Sequence, residues 1–334
     1  MRTTTMFLVV YLGAFLATSA QAEDRSAIDV VALVERAHRH WSKGEYQLAI
    51  ERFTAALNLA PQSSELLACR GACYLQLADW DRALVDLNQA IGLRPKDAAL
   101  FDLRSKCWIG KGELAKAISD VSTAIEINPK DADLFSLRSR YWVRKGDFSK
   151  ALIDASMAID LNPKDAKLFF FRATCWEGKG DLTKAVSDLS AAIELNPREA
   201  RFYVFKGLLE SEKVQHAQAL ADFESAVRVS PLDARANEML VWTLATSPLE
   251  RVRDGARAVR HGREFLKHST NPSPGLRRAV AAALAESGQF EEAVRYLETV
   301  AADEMHVEDV RELNAALLVL FRNRQPYHES LQSK

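Results

Sequence analysis

The sequence is poor in several residue types that particular protein classes require. Only 4 of its 334 residues are Cys, too few for a disulfide-rich scaffold. With 14 Gly and 10 Pro, it offers few turns for an all-β protein. Lys and Arg number 44 against 45 Asp and Glu, so the chain lacks the basic excess of a dedicated nucleic-acid-binding protein. A nucleic-acid partner is therefore not expected.

Motifs that signal catalysis are also missing. The sequence has no H-E-x-x-H, no G-x-S-x-G, no Walker-type glycine loop and no Cys-x-x-Cys. His38 and His40 are two residues apart on a predicted helix, so they point to different faces and cannot form a metal-binding pair. The sequence thus predicts a protein without enzymatic activity, cofactor or small-molecule substrate.

The N-terminal segment 1–22 has the three-part layout of a secretory signal peptide. Arg2 precedes an uncharged run from Met6 to Leu16, and Ala20 and Ala22 form the small-residue pattern found before a cleavage site. We expect cleavage near Ala22 and export to the periplasm or the outside of the cell. The alternative is an uncleaved membrane anchor, although Met6 to Ala22 is only 17 residues, at the lower limit for a bilayer core of about 30 Å.

Prolines fall at a fixed spacing through most of the chain. Six of the ten recur with a period of 34: Pro61, Pro95, Pro129, Pro163, Pro197 and Pro231. Alanines keep the same spacing at two positions, represented by Ala151 and Ala158. A period shared over six units predicts an internal repeat, in which each unit buries its apolar face against its neighbours.

Each unit has the pattern of two short amphipathic helices. In residues 132–165, apolar side chains recur at helical spacing before and after Gly146. Gly146 can adopt the left-handed conformation that ends a helix, and Asp147 can cap the free N–H groups of the next one. At the joints between units, the predicted N-caps are Asp97, Asp131 and Asp165.

The unit resembles the tetratricopeptide repeat, which has aromatic and small residues at fixed positions and Pro near its end. In the fourth unit these positions hold Phe135, Ser139, Trp142, Gly146, Ala151, Ala158 and Pro163. The resemblance implies an all-α fold, a right-handed α-solenoid of helix-turn-helix repeats. Residues 23–233 would contain six repeats: 30–63, 64–97, 98–131, 132–165, 166–199 and 200–233. Ala78 and Val214 depart from the family pattern by replacing the turn glycine.

The pattern loosens after Pro231. Residues 234–270 are predicted to form a degenerate helical repeat. A turn-rich segment follows at 271–275, and residues 271–334 are predicted to hold a last repeat and a capping helix over Val307 to Arg322. The exposed end of a repeat stack requires such a cap.

Arg recurs at the seventh repeat position and Asp at the twenty-third. The pairs are Arg70 with Asp86, Arg104 with Asp120, Arg138 with Asp154 and Arg172 with Asp188. The family usually has a buried Leu at the seventh position, and a buried unpaired Arg would be very costly. We therefore predict a ladder of Arg–Asp pairs between helices. The alternative is a set of solvated pairs, each worth about 0 to 1 kcal/mol.

The resemblance also implies where a partner binds. In this family, the second, fifth, ninth and twelfth positions of the first helix of each repeat face a ligand in a concave groove. Carried over, they give Asp102, Lys106, Ile109, Ser136, Arg140, Val143, Phe170, Thr174, Glu177, Val204 and Leu208. Such a groove is basic at its centre with apolar residues beyond, which suits a protein or peptide partner carrying some acidic residues. The alternative is that Lys106 and Arg140 are solvated charges.

A second candidate binding surface is the 251–267 stretch, which is rich in basic residues. The alternative site residues are Arg257, Arg260 and Arg263. A polyanion or an anionic membrane surface would be attracted to it, as in a cell-envelope assembly factor. The competing interpretation is the solvated face of a helix. The sequence favours the first function, a non-enzymatic interaction scaffold or adaptor that binds a peptide or helix in the groove.

Overall fold

The computed structural model describes residues 25–270, 272–303 and 308–329. Over these residues it contains 17 α-helices and one short 3₁₀ turn, and no β-strand. The predicted signal peptide, residues 1–22, lies outside the described residues. The chain divides into two compact units, one ending at Asn162 and the other starting at Pro163.

The first unit consists of four helix pairs. In each pair the first helix, the A helix, packs against the second, the B helix, and each of the first three B helices contacts the A helix of the next pair. Three residues connect the two helices of a pair. The helices are α1 Arg25–Ser42, α2 Tyr46–Leu59, α3 Ser64–Gln76, α4 Trp80–Leu93, α5 Ala98–Gly110, α6 Leu114–Ile127, α7 Ala132–Arg144 and α8 Phe148–Leu161.

The second unit begins with the same pairing and then departs from it. Its helices are α9 Ala166–Gly178, α10 Leu182–Leu195, α11 Ala200–Glu212, α12 His216–Val229, α13 Ala234–Thr246, α14 Gly255–His268, α15 Pro274–Glu286, α16 Phe290–Asp303 and α17 Glu308–Arg322. A longer connection, residues 247–254, separates α13 from α14 and includes the 3₁₀ turn Glu250–Val252. α15 packs against both α13 and α14, and α17 packs on α16. The predicted all-α fold of helix-pair repeats is confirmed.

Capping residues begin these helices where the sequence predicts them. The carboxylates of Asp97, Asp131 and Asp165 accept hydrogen bonds from backbone N–H groups in the first turns of α5, α7 and α9. Asp147 accepts one from the N–H of Lys150 at the start of α8. The cap predictions are confirmed, and each cap satisfies an N–H group that a helix start leaves free.

The turn between an A helix and its B helix requires a residue with positive φ. Five glycines supply it, with φ between 77° and 81°: Gly44, Gly112, Gly146, Gly180 and Gly288. Ala78 and Val214, which replace the glycine, adopt the same conformation with φ of 58° and 61°. Packing of the helix pair therefore imposes the turn, and Val214, as a β-branched residue, is strained by it.

Small residues on the B helices permit close packing. The twentieth position of all six repeats is an alanine with no exposed surface: Ala49, Ala83, Ala117, Ala151, Ala185 and Ala219. The same holds at the twenty-seventh position: Ala56, Ala90, Ala124, Ala158, Ala192 and Ala226. A larger side chain at these points would displace packed neighbours. The alanine spacing in the sequence thus marks the helix contacts of each repeat.

The predicted Arg–Asp ladder is present. Nε and Nη2 of Arg138 on α7 donate to the two carboxylate oxygens of Asp154 on α8, at 2.8 and 2.7 Å. The same two-pronged contact joins Arg70 to Asp86, Arg104 to Asp120 and Arg172 to Asp188. The four aspartates are only 3–7% exposed. The alternative of solvated pairs is therefore wrong.

In the first unit, each arginine of the ladder also bonds the preceding repeat. Nη1 of Arg138 donates to Ser122 Oγ on α6 at 3.1 Å. Nη1 of Arg104 and of Arg70 make the equivalent bonds to Asn88 Oδ1 at 2.8 Å and to Thr54 Oγ1 at 3.1 Å. One guanidinium thus joins three helices, which requires the planar, five-donor fork that Arg has and Lys lacks.

Replacing Val214 with Gly should raise the free energy of unfolding by about 1 kcal/mol. The substitution removes the strain of a left-handed valine, and this gain exceeds the free-energy cost of ordering a more flexible glycine on folding. The matched change Gly146→Val should lower it, since it introduces that strain at an equivalent turn. Urea unfolding of both variants measures the effect. Destabilisation by Val214→Gly would contradict the assignment of strain to this turn.

A double-mutant cycle on Arg138 and Asp154 should show strong coupling. Arg138→Leu leaves the buried Asp154 carboxylate without its partner and should cost about 3–5 kcal/mol, and Asp154→Ala, which leaves the partly exposed Arg138 without its partner, should cost less. The loss in the free energy of unfolding of the double variant should be smaller than the two single losses added together, by at least about 1 kcal/mol. Additive losses in urea unfolding would show that the pair contributes no interaction energy.

Candidate partner-binding face

The predicted binding residues lie on the A helices of both units. They belong to α5 and α7 in the first unit and to α9 and α11 in the second. The name A-face is used here for the second, fifth, ninth and twelfth repeat positions of the A helices. Exposure and charge at these positions differ between the two units.

On α5, the predicted basic residue is paired within its own helix. Lys106 Nζ donates to Asp102 Oδ2 at 2.7 Å, and the two side chains are 25% and 20% exposed. Asp102 Oδ1 is buried and has no hydrogen-bond partner among the described residues. The charge of Lys106 is therefore balanced in place. Of the two predicted basic residues, Arg140 on α7 is the exposed one.

The remaining predicted residues of the first unit differ in exposure. Ser136 is buried, with 5% exposed, so it cannot contact a partner directly. Ile109 and Val143 are half-buried. Tyr141 fixes α7 against α5 through its hydroxyl, which lies 3.2 Å from Ser105 Oγ. Burial raises the pKa of Tyr141 to about 12, so this phenol stays protonated and able to donate.

The fifth and ninth positions of the first two repeats are taken up by packing. Val34, Ala68 and Ala72 have at most 2% of their surface exposed. His38 packs edge-on against Phe53 with ring centroids 5.5 Å apart, and burial lowers the pKa of His38. At these two positions, the open part of the A-face in the first unit therefore lies on α5 and α7.

In the second unit, the A-face residue Phe170 belongs to an aromatic cluster on α9 and α11. Phe170 on α9 stacks with Phe202 on α11 at a centroid distance of 5.2 Å, and lies 5.5 Å from Phe205. The guanidinium of Arg201 lies 5.1 Å from the centre of the Phe170 ring, within range of a cation–π contact. Phe202 is fully buried, whereas Phe170 and Phe205 are half-buried. The cluster thus keeps two rings partly open.

The other predicted residues of the second unit are polar or apolar and differ in exposure. Thr174 is half-buried and donates to the carbonyl of Phe171 at 2.6 Å. Val204 is buried, and Leu208 is half-buried. Glu177 is exposed near the end of α9, and partial burial together with repulsion from Glu212 raises the pKa of Glu177.

Sequence reasoning missed one residue of the A-face. Trp242 lies one full period after Leu208, at the ninth position of α13, and is half-buried. Its indole Nε1 donates to Glu329 Oε1 at 2.7 Å. Extending the repeat numbering by one more period would have identified it, but the irregular sequence after Pro231 concealed the continuation.

The ladder changes its chemistry in the sixth repeat. Lys206 takes the place of the arginine, and its Nζ lies 3.2 Å from Asp222 and 3.6 Å from Glu210. Both carboxylates are buried, with 8% and 5% exposed. Burial, together with a hydrogen bond to Asp222, raises the pKa of Glu210 to about 7. One ammonium group thus faces two carboxyl groups, and the carboxyl of Glu210 keeps its proton below neutral pH.

The alternative basic surface is already engaged by acidic side chains. Arg257 pairs with Glu224 on α12 at 2.6 Å, and Arg263 pairs with Glu292 on α16 at 2.5 Å. Arg260 is exposed. The positive charge that this stretch offers to a polyanion is reduced accordingly.

Within the described part of the chain, no cluster of three or more His, Cys, Asp or Glu side chains is placed to hold a metal ion. The four cysteines are free and buried. Burial raises the pKa of Cys69 and Cys107 to about 12, which keeps them as unreactive thiols at neutral pH. None of the described helices has the length and apolar character needed to cross a membrane.

Three family models, all described as tetratricopeptide repeats, match residues 40–107, 143–200 and 172–308. The chain is a tetratricopeptide-repeat protein. Repeats of this family generally bind protein or peptide partners and act as interaction scaffolds. The general function predicted from the sequence is thus supported.

Two solved structures resemble this tetratricopeptide-repeat protein. One is the C-terminal part of a repeat-containing protein from Cytophaga hutchinsonii, 20% identical, with a TM-score of 0.61 over 72% of this chain and 97% of that one. The other is a tetratricopeptide-repeat protein from Parabacteroides merdae, 17% identical, with a TM-score of 0.52 over 88% of this chain and 99% of that one. At these identities the likeness shows the fold alone. No curated protein matched the sequence.

Replacing Glu210 with Gln should change how stability depends on pH. In the unfolded chain this carboxyl ionises from about pH 4.5 upward, but in the folded protein only near pH 7. Its contribution to the free energy of unfolding therefore falls as pH rises between these values and then stays low. Glutamine does not ionise, so the variant should gain about 1–3 kcal/mol over the parent by pH 8 and nothing near pH 4.

Urea unfolding of Glu210→Gln and its parent across this range measures the effect. Glu194→Gln, at an exposed position of α10, is the matched control and should follow the parent at every pH. A Glu210→Gln difference of the same size at all pH values would show that the change acts through packing rather than through ionisation.

Proposed function

We propose that the chain is a non-enzymatic scaffold or adaptor that binds a peptide or helix of a partner protein on its A-face. The family supports the general role, since its repeats bind proteins and peptides. The finer proposal is carried by side chains of the A helices that stay at least partly exposed after the helices have packed. These are Arg140 in the first unit, which is exposed, and the rings of Phe170 and its neighbour Phe205 in the second, which are half-buried.

These side chains favour particular groups on a ligand. The guanidinium of Arg140 suits a carboxylate, which it can bind through paired hydrogen bonds. The partly open rings of Phe170 and Phe205 suit an apolar or aromatic side chain, the kind of anchor that dominates many interfaces. The first unit thus favours an acidic segment of a partner, and the second unit favours an apolar or aromatic one.

The alternative is an assembly factor of the cell envelope that contacts a polyanion or membrane surface through residues 251–267. It has less support, because Arg257 and Arg263 already pair with carboxylates. We also propose that the protein is exported, on the basis of the signal-like sequence of residues 1–22. The partner would then be a periplasmic or extracellular protein.

Site-specific photocrosslinking in cells of the native host tests the A-face. A photoreactive amino acid at Val143 should crosslink to a partner protein, because this position lies on the open part of the A-face. The same amino acid at Ile153, which is 64% exposed on the B helix α8, is the matched apolar control and should give no such product. Arg140→Glu should reduce the Val143 crosslink by about tenfold, since it places like charge against an acidic ligand.

Arg260→Glu is the control for charge and should leave the Val143 crosslink unchanged. Circular dichroism of each variant confirms that the helices are intact. A crosslink of equal strength from Ile153 would contradict the A-face as the binding surface. Loss of the product with Arg260→Glu but not with Arg140→Glu would favour the basic 251–267 stretch instead.

A further inference from the structure

The chain leaves α17 and turns back over α13. Arg324 adopts a positive φ of 57°, and hydrogen bonds from its N–H to the carbonyl of Phe321 and from Gln325 N–H to the carbonyl of Leu320 end the helix. Residues 325–329 are not helical. They run across the A-face of the second unit and are called here the return segment.

The return segment makes the contacts that a bound peptide would make. Its backbone N–H at Glu329 donates to the carbonyl of Thr246 at 2.8 Å, one of the carbonyls that the end of α13 leaves free. The Glu329 carboxylate accepts from the indole of Trp242 at 2.7 Å, and the ring of Tyr327 lies 6.0 Å from that indole. His328 Nε2 lies 2.7 Å from Glu286 Oε2 at the end of α15.

The side chain that contacts both Tyr327 and Glu329 of the return segment occupies an A-face position. Trp242 has the ninth position of its repeat, the same as Leu208 and Thr174 in the two preceding repeats. An aromatic residue and an acidic residue two places later therefore lie where the proposed function expects a partner peptide.

The return segment is held at the surface rather than in the core. Tyr327 and Glu329 are half-buried, and His328 is exposed. By contrast, Leu317 and Phe321 of α17 have at most 1% of their surface exposed and belong to the core of the unit. Tyr327 packs against the edge of that core, so departure of the segment from α13 uncovers this edge and not the positions of Leu317 and Phe321.

We propose that the α13 part of the A-face is a peptide-binding surface whose resident ligand is the return segment. The proposal rests on the A-face function given above and adds its regulation. A partner peptide of the form aromatic, any residue, acidic must displace residues 325–329 before it binds. Because a tethered ligand acts at an effective concentration of about a millimolar, the intact chain binds such a peptide weakly.

A synthetic peptide with the sequence of residues 323–329, blocked at both ends and fluorescently labelled, is the probe. It is titrated into the full chain and into a variant carrying Tyr327→Ala and Glu329→Ala, in which the return segment has lost its two side-chain contacts with Trp242. The variant should bind the peptide at least about tenfold more tightly than the parent, since the internal competitor is removed. Gln325→Ala, which keeps both contacts, should behave like the parent.

The surface is tested in the same double-variant background. Trp242→Phe keeps an aromatic ring but loses the N–H, so peptide affinity should fall by about fivefold or more, while thermal unfolding stays that of the background. Peptide binding by the double variant no tighter than by the parent would overturn the proposal. So would a lowered unfolding midpoint without any gain in peptide binding, because the segment would then be a structural strap.

This outcome is separable from that of the proposed function. The Val143 crosslink reports on α7 in the first unit and does not involve α13 or residues 325–329. If the crosslink forms and the peptide does not bind, the partner-binding function stands and the internal-ligand proposal fails. If the peptide binds and no crosslink forms, the binding face lies on α13 and the assignment to α7 fails.

Discussion

A buried carboxylate must have its charge and its acceptors satisfied, and this requirement organises the regular part of the molecule. Asp154 can be buried because Arg138 donates to both of its carboxylate oxygens, and the same guanidinium donates to Ser122 through its third nitrogen. Three helices must therefore meet in one register before the pair can form. An apolar residue would pack in the same space, but it would not distinguish this register from a shifted one.

The sixth repeat shows what happens when that arrangement is altered. With Lys206 in place of arginine, the planar fork is lost, and a second carboxyl group from Glu210 enters the buried site. The same repeat carries Val214 in the strained turn position. Two departures from the repeat pattern thus coincide in one unit. They lie just before the irregular connection of residues 247–254, where the regular period ends.

The fold could be predicted from the sequence because its determinants are local and periodic. The turn glycines, the capping aspartates and the buried alanines recur with the period of the repeat, and each acts within one helix pair. The binding face was less accessible to sequence reasoning. Lys106 is balanced by Asp102 one helical turn away, and the burial of Ser136 depends on how α7 packs against its neighbours. Such properties arise from three-dimensional neighbours that a single repeat position does not specify.

The bond between Trp242 and Glu329 joins residues 87 positions apart, in a protein whose other helix contacts link near neighbours in sequence. Closing a loop of that size costs entropy, but once closed it couples the elements inside it. In a simple repeat stack, terminal helices fray one pair at a time. Here α17 cannot fray alone while Glu329 stays bound to Trp242, so release of a few surface residues changes the folding cooperativity of this end of the molecule.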